Sequence, residues 1–283
     1  MPGGGGVEDD GLAGHAGDGR HRRLAELVVG SPPSPGELAA ASGGPPGSAR
    51  LRSRLTRLCS LAVSELGVDG AGVTVLAGSP ARDGTRTRLS TVGDLTARLD
   101  ELQLTTGEGP CLEAHATGVP ALVPDLAAEP GRWLGFTPEA LAIGARALFS
   151  FPLQVGAARL GTLDLNRSTA GPLPRARLAD GLSLAALATE LLLAVVEAAS
   201  PPDGGAPDDL AAVGWMPDVH ADVHVASGMV AAYTGADVRD AFLQLRAHAF
   251  RTGEPLDSVA RRVIDRDLVL DLDQTPRPEN GAP

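Results

Sequence analysis

The chain is 283 residues long, enough for one large and one small domain that each bury a core. Its net charge of −11 and pI near 5.0 exclude a protein that coats nucleic acid by bulk electrostatics. Its two cysteines, Cys59 and Cys111, lack metal-ligand spacing, which excludes a disulfide framework and a zinc site and makes a reducing cytoplasm the expected location.

Residues 1–48 are rich in Gly, Pro, Ser and acid and are expected to be mostly disordered, with one short helix from Arg22 to Val29. The opening MPGGGGVEDDG lacks the charged and then apolar run of a secretory signal. Leu51, Leu55, Leu58, Ala62 and either Glu65 or Leu66 then mark a helix, and residues 72–76 read as a strand after a Gly-rich turn. Further strands are expected at 87–92, 119–123, 149–155 and 160–165. In the last two, Phe149, Phe151, Leu153 and Val155 share one face, and Gly161, Leu163 and Leu165 share one face of a hairpin partner joined across Gly156 to Arg159. A long helix from about Pro174 to Ala198 closes this region, which is therefore an α+β domain with one central sheet. Its most apolar stretch, Leu182 to Val196, is interrupted by Glu190 and falls short of the roughly 20 residues that span a bilayer, so no membrane is expected among the partners.

The run SPPDGGAPDD from Ser200 to Asp209 reads as a linker. Three short amphipathic helices follow, which must pack on one another as a small bundle. Val225, Gly228, Met229, Ala232 and Tyr233 line one face of the first, which Thr234-Gly235 ends. Val238, Ala241, Phe242, Leu245 and Ala249 line the second, with Asp237 as N-cap and Gly253 closing it. Leu256, Val259, Ala260, Val263 and Ile264 line the third, with Pro255 at its first position.

Two sets of residues resemble known families. Leu102-Gln103, the run Thr106-Gly107-Glu108-Gly109-Pro110-Cys111-Leu112-Glu113-Ala114, Val123-Pro124-Asp125-Leu126, Phe151-Pro152-Leu153 and Leu160-Gly161-x-Leu163 resemble a GAF domain, a small-molecule sensor fold. The resemblance implies a central antiparallel sheet with flanking helices over residues 49–199. It also implies a ligand pocket between sheet and loops, with Cys111, Phe149, Phe151 and Leu153 as its expected lining. It names no ligand, and no cofactor or metal is expected. The Asn-Lys-x-Phe-x-Asp-Glu pattern of cyclic-nucleotide GAF domains has no full counterpart after Asn166.

Ala226-x-Gly228-Met229, Asp240-Ala241-x-x-x-Leu245-Arg246-x-x-Ala249 and Leu256-x-x-Val259-Ala260-x-x-Val263 resemble an ANTAR domain, a bacterial three-helix module that binds RNA hairpins and lets transcription read through terminators. This implies linker 200–216, RNA-binding domain 217–272 and a disordered tail 273–283. RNA contact is expected from Arg239 and Arg246 on one face of the second helix, from Arg262 and Arg266 on one face of the third, and from Arg251 and Arg261. Tyr233 is expected to stack on a base. One departure is Ser227, where many ANTAR sequences carry Lys. Residues 217–272 hold 6 Arg against 9 acids, so affinity must rest on local contacts, on dimerisation, or on both.

The expected function is a transcription antitermination regulator whose ANTAR bundle binds tandem RNA stem-loops in mRNA leaders under control of a GAF sensor. The alternative is a small-molecule or redox sensor acting through protein contacts without RNA. Cys111 follows Gly109-Pro110 at a helix start, where a thiol's pKa can fall; the other reading is a small buried apolar residue. His115 reads as surface or satisfied core. No Walker loop, HExxH, GxSxG, dinucleotide fingerprint or carboxylate pair is present, so the protein is not expected to be an enzyme. Leu178, Leu182, Ala185, Thr189, Leu192 and Val196 step by four and three like the seam of a coiled coil, and Leu51, Leu55, Leu58 and Ala62 step alike. A homodimer through these helices is therefore expected.

Overall fold

Leu51, Leu55, Leu58, Ala62 and Leu66, the predicted stripe of the opening helix, are all buried on the first long helix to pack against the sheet. The computed structural model describes residues 10–30, 46–77, 85–199 and 221–270. The described residues divide into two compact units, a larger one that ends with residue 199 and a smaller one over residues 221–270. The expected linker at 200–216 and tail at 273–283 lie outside the described residues.

In the larger unit, helix α1 (Asp10–Val29) and helix α2 (Pro46–Leu66) precede strands β1 (Gly70–Ala77) and β2 (Thr85–Val92). Helices α3 (Asp94–Thr106) and α4 (Pro110–Thr117), strand β3 (Ala121–Val123), a short 3₁₀ turn (Leu126–Ala128) and helix α5 (Thr137–Ala142) follow. Strands β4 (Ala147–Val155) and β5 (Ala158–Arg167) form the expected hairpin, and helix α6 (Arg175–Ala199) closes the unit. The strand order is β2-β1-β5-β4-β3, every pair antiparallel.

Register fixes which side chains share a face. Val73 opposes Leu163, which opposes Phe151, and Ala71 opposes Leu165, which opposes Phe149. These residues pack with Leu153 against α2 and α6 in one apolar core. The alternate positions, Gly72, Thr74, Ser150, Thr162, Asp164 and Asn166, point to the opposite face. Close approach is built in at two glycines. A Cβ on Gly181 of α6 would lie 2.9 Å from the Phe151 ring, and one on Gly161 of β5 would lie 2.0 Å from the Thr74 carbonyl oxygen of β1. Both are contacts that only a residue without a side chain permits.

Two expectations change. The helix expected from Arg22 begins at Asp10, and its Leu24 and Val28 are fully buried against the core of α2 and α6. Arg20 pairs with Asp180 at 2.7 Å, His21 with Glu190 at 3.2 Å and Arg23 with Glu65 at 3.1 Å. The local sequence is poor in helix-stabilising pattern, so tertiary burial of two side chains supplies what periodicity did not signal. α6 also differs: the continuous stretch Arg175–Val195 is long and apolar enough by length and composition to cross a membrane, and 44% of it is buried inside the fold. Its Leu184, Leu187, Ala188 and Leu191 pack in the core together with Ala185 and Leu192, so much of the expected dimer seam is spent within the chain.

The smaller unit is a three-helix bundle: α7 (Ala221–Thr234), α8 (Val238–Thr252) and α9 (Leu256–Ile264). Asp237 caps α8 by accepting from the Arg239 backbone N–H at 2.9 Å, and Gly253 ends it in the left-handed conformation at φ 67°. Ala241, Leu245 and Ala249 of α8 and Leu256, Val259, Ala260 and Val263 of α9 are buried as predicted, with Phe242 and Ile264 partly so. The face assigned to α7 is wrong. Val225 and Tyr233 are half exposed, and Val223, Ala226, Ser227 and Val230 make the contact instead. Nearly every residue of α7 is apolar or small, so two stripes satisfied the helical spacing and the sequence held no polar back to choose between them. Ser227 enters the core by donating its hydroxyl to the Val223 carbonyl at 2.7 Å.

Candidate functional site

The polar face of the sheet and the helices laid over it enclose a cavity. Gly72 and Thr74 from β1, Thr96, Leu99, Asp100 and Gln103 from α3, Phe136 before α5, and Ser150, Asp164 and Asn166 from β4 and β5 form most of its wall. About 20 Å³ of it is open to the centre of a water-sized body, room for one such body and far below the volume of a nucleotide. Leu99 and Phe136 of the wall belong, with Val123, Leu126, Ala140 and Leu148, to a second, smaller apolar core.

Of the charged groups on this face, Asp100 is paired with arginines and Asp164 is held by hydroxyls. Arg86 on β2 donates from Nη2 to Asp100 Oδ1, Arg88 Nη1 donates to Asp100 Oδ2 at 3.3 Å, and the Thr74 hydroxyl lies 3.4 Å from Asp100 Oδ1. Burial alone would lower the Arg86 pKa, but the charges of Asp100 and its neighbours hold it above the ordinary value. Its Nε and Nη1 meet no hydrogen-bond partner among the described residues. Asp164 accepts from Ser150 Oγ at 2.6 Å and from Thr162 Oγ1 at 2.8 Å. Burial pushes its pKa up to about 6, against the hydrogen bonds from Ser150 and Thr162 and the Arg86 charge, which favour the carboxylate. Among the described residues, no three His, Cys, Asp or Glu side chains gather in a way that would hold a metal ion.

Of the four residues expected to line a pocket, three belong elsewhere. Phe149, Phe151 and Leu153 lie in the core on the opposite face of the sheet, under α2 and α6. Alternation identified them as sharing a face; it could not say which face the long helices cover. Cys111 is on the correct side but sits fully buried in α4, where its backbone N–H donates to Gln103 Oε1 at 2.9 Å. Burial drives the thiol pKa up, and the Arg86 charge offsets this only in part. Burial thus works against the lowered pKa that a redox role needs. His115 is also buried.

The groups the sequence reading missed are Arg86, Asp100, Ser150, Thr162, Asp164 and Asn166. One signal was available: β5 is central in the sheet, and its Thr162, Asp164 and Asn166 alternate with apolar residues. A polar row on a central strand marks a face that covers something other than a greasy core.

In the smaller unit, the expected RNA-binding residues spread over the surface. Arg239, Arg251, Arg261, Arg266 and Tyr233 are exposed. Arg251 Nη2 lies 3.1 Å from His248 Nδ1, and Arg261 pairs with Asp222 at 3.2 Å. Arg262 is half-buried and bound to Glu254 at 2.7 Å. Arg246 packs over the Phe242 ring, its guanidinium carbon 5.6 Å from the centroid. The expectation that Arg262 and Arg266 share a face of the third helix fails, because α9 ends at Ile264 and Arg266 sits beyond it with φ 64°. Phe250, exposed on α8, was not singled out.

No protein-family model and no curated protein matches the chain. Solved structures similar to it include the GAF domain of a phosphoenolpyruvate-protein phosphotransferase from Coxiella burnetii, at 16% identity and a TM-score of 0.46, covering 64% of this chain and 95% of that one. The GAF domain of the Acinetobacter phosphoenolpyruvate-protein phosphotransferase is 12% identical at a TM-score of 0.43, covering 65% and 96%. A type II free methionine-R-sulfoxide reductase from Thermoplasma acidophilum is 16% identical at a TM-score of 0.38, covering 51% and 94%. The likeness is one of fold, and no residue's role passes from these proteins to this chain.

Proposed function

We propose that the chain is a sensor–regulator: an RNA-binding transcription antiterminator of the GAF and ANTAR kind, in which the enclosed cavity of the larger unit takes a small ligand and the three-helix bundle binds RNA hairpins. The observation that carries the RNA half is the pairing of exposed arginines, Arg239, Arg251, Arg261 and Arg266, with two exposed aromatic rings, Tyr233 and Phe250, on so small a bundle. Guanidinium groups bridge phosphates and aromatic rings stack on bases splayed from a loop, which is the chemistry of hairpin recognition. The acid excess of this segment keeps non-specific affinity low, so discrimination rests on those few contacts.

Binding to tandem-hairpin RNA from the organism's own leaders tests this. Arg239→Glu with Arg251→Glu is expected to weaken binding at least about tenfold, the scale of two lost phosphate contacts at moderate salt. Wild type binding those hairpins no better than unrelated RNA removes the reading. A second reading then stands, that the bundle acts through protein contacts alone. Val225, Val238, Leu243 and Phe250, each about half exposed, favour it.

Dimerisation belongs to the same proposal. With Ala185, Thr189 and Leu192 buried within the chain, the half-exposed Leu182 is the most open of the described seam residues of α6 and the one offered to a second copy. Light scattering of the full chain is expected to give a dimer mass that Leu182→Glu halves; a monomer mass for wild type rules the interface out.

A further inference from the structure

The wall of the cavity is unusual in what its polar atoms have left to offer. Thr96 donates its hydroxyl proton to the Val92 carbonyl at 2.9 Å, so in its 2.7 Å contact with Asn166 it must accept. That fixes the Asn166 amide, with Nδ2 toward Thr96 and Oδ1 as the other atom, an acceptor with no partner among the described residues although the side chain is 2% exposed. Ser150 spends its proton on Asp164, and Thr74 directs its own toward Asp100. Lone pairs are thus offered along this part of the wall by Asn166 Oδ1, by the hydroxyl oxygens of Ser150 and Thr74, and by the Asp164 carboxylate. Among the described residues, no lysine or arginine contributes to this wall.

The two carboxylates are not equally served. Asp100 has Arg86 and Arg88 against it, whereas Asp164 has two neutral hydroxyls and, among the described residues, no cation in hydrogen-bond contact. A buried carboxylate without a contacting cation, beside an orphaned amide oxygen, in a space the size of one water-sized body, calls for a compact group that is positively charged and carries only donors.

We infer that this cavity is a site for an ammonium group, either the free ion or the terminal –NH₃⁺ of a primary amine. Its N–H bonds go to Asn166 Oδ1 and Asp164, with the Ser150 and Thr74 oxygens completing the shell. The inference rests on the sensor reading above and names the chemical class of its ligand. A neutral water satisfies Asn166 but brings no cation into contact with Asp164, which has the Arg86 charge only at a distance. A potassium ion supplies charge of similar radius but no directed donors. An anion meets two carboxylates and no wall cation.

The test is thermal unfolding of the full chain in the chlorides of ammonium, methylammonium, tetramethylammonium, potassium and sodium at equal ionic strength. Ammonium at about ten times its dissociation constant is expected to raise Tm by about 3 °C over sodium. Methylammonium matching it identifies an amine head group as the ligand, and methylammonium without effect identifies the free ion. Tetramethylammonium, with no N–H to donate, is expected to do nothing. Equal shifts from potassium and ammonium overturn the inference, and so does no shift beyond sodium, which leaves a water site only. Asp164→Asn keeps an acceptor for Ser150 while removing the charge, and it is expected to abolish the ammonium shift. Should that variant fail to fold, Asn166→Ser is expected to reduce the shift by half or more, and retention of the full shift in either folded variant overturns the assignment. RNA affinity with and without ammonium separates the two claims. A Tm shift with unchanged RNA affinity leaves the site and removes its control over RNA, whereas RNA binding with no ammonium shift removes the site alone.

Discussion

The two faces of one sheet carry opposite chemistry. Under α2 and α6 the strands present Phe149, Phe151, Leu153, Leu163 and Leu165; on the other side the same strands present Ser150, Thr162, Asp164 and Asn166. The first face holds the unit together by area removed from water, and its energetics depend on shape. The second contributes through paired charges whose desolvation consumes most of what they return, so its energetics depend on completeness. A face of the second kind is worth keeping where a ligand is to be held, because a polar group can be left unsatisfied there until the ligand arrives.

That contrast breaks most visibly at Asp100. Asp100→Ala leaves Arg86 buried with no partner and is expected to cost about 3–5 kcal/mol in urea unfolding, whereas the double replacement Asp100→Leu with Arg86→Met recovers most of it. On the apolar face, Phe151→Ala removes a fully buried ring beneath Gly181 and is expected to cost about 3–4 kcal/mol, with no double replacement to restore it. A recovery by the Asp100 pair smaller than half would show that the polar face also depends on shape.

The next effect is a pH dependence. The folded pKa of Asp164, about 6, lies above the unfolded value of 3.8, so the native state binds the proton more tightly. Its contribution to stability is therefore fully present below pH 3.8 and is lost as pH rises through 6. Asp164→Asn cannot titrate, and relative to wild type it is expected to gain about 3 kcal/mol between those limits, read from denaturant midpoints across the range. A constant difference between the two proteins over that window would show that Arg86 compensates Asp164 fully. The smallest effect belongs to the bundle surface: Arg261→Ala breaks an exposed pair with Asp222 and is expected to change stability by less than about 0.5 kcal/mol while still weakening RNA binding.

How far the sequence could be read depended on whether polar residues supplied contrast. In α9 the charges Asp257, Arg261 and Arg262 stand opposite Leu256, Val259, Ala260 and Val263, and the buried face follows without ambiguity. In α7 the same spacing rule chose the wrong stripe, since apolar residues run around the helix. The strand pattern gave the β4–β5 hairpin and its residue pairing, but not the side of the sheet the helices take. The site was hardest, because Arg86, Asp100 and Asp164 are scattered along the chain and meet only through the order β2-β1-β5 and the helix that follows β2. No local window contains that cluster. Only the polar row of β5 announced it.

The burial of both native cysteines has a practical side. Cys59 is fully buried with its thiol pushed up to about 12, chiefly by burial, and Cys111 is shifted the same way. Neither presents a thiolate to a reagent in solution while the fold is intact. The native chain is thus already a silent background for labelling: a lone Val225→Cys or Leu243→Cys on the bundle surface would take up a maleimide dye or spin label at that one position. Distances and motions in the helical unit could then be followed without removing either natural thiol.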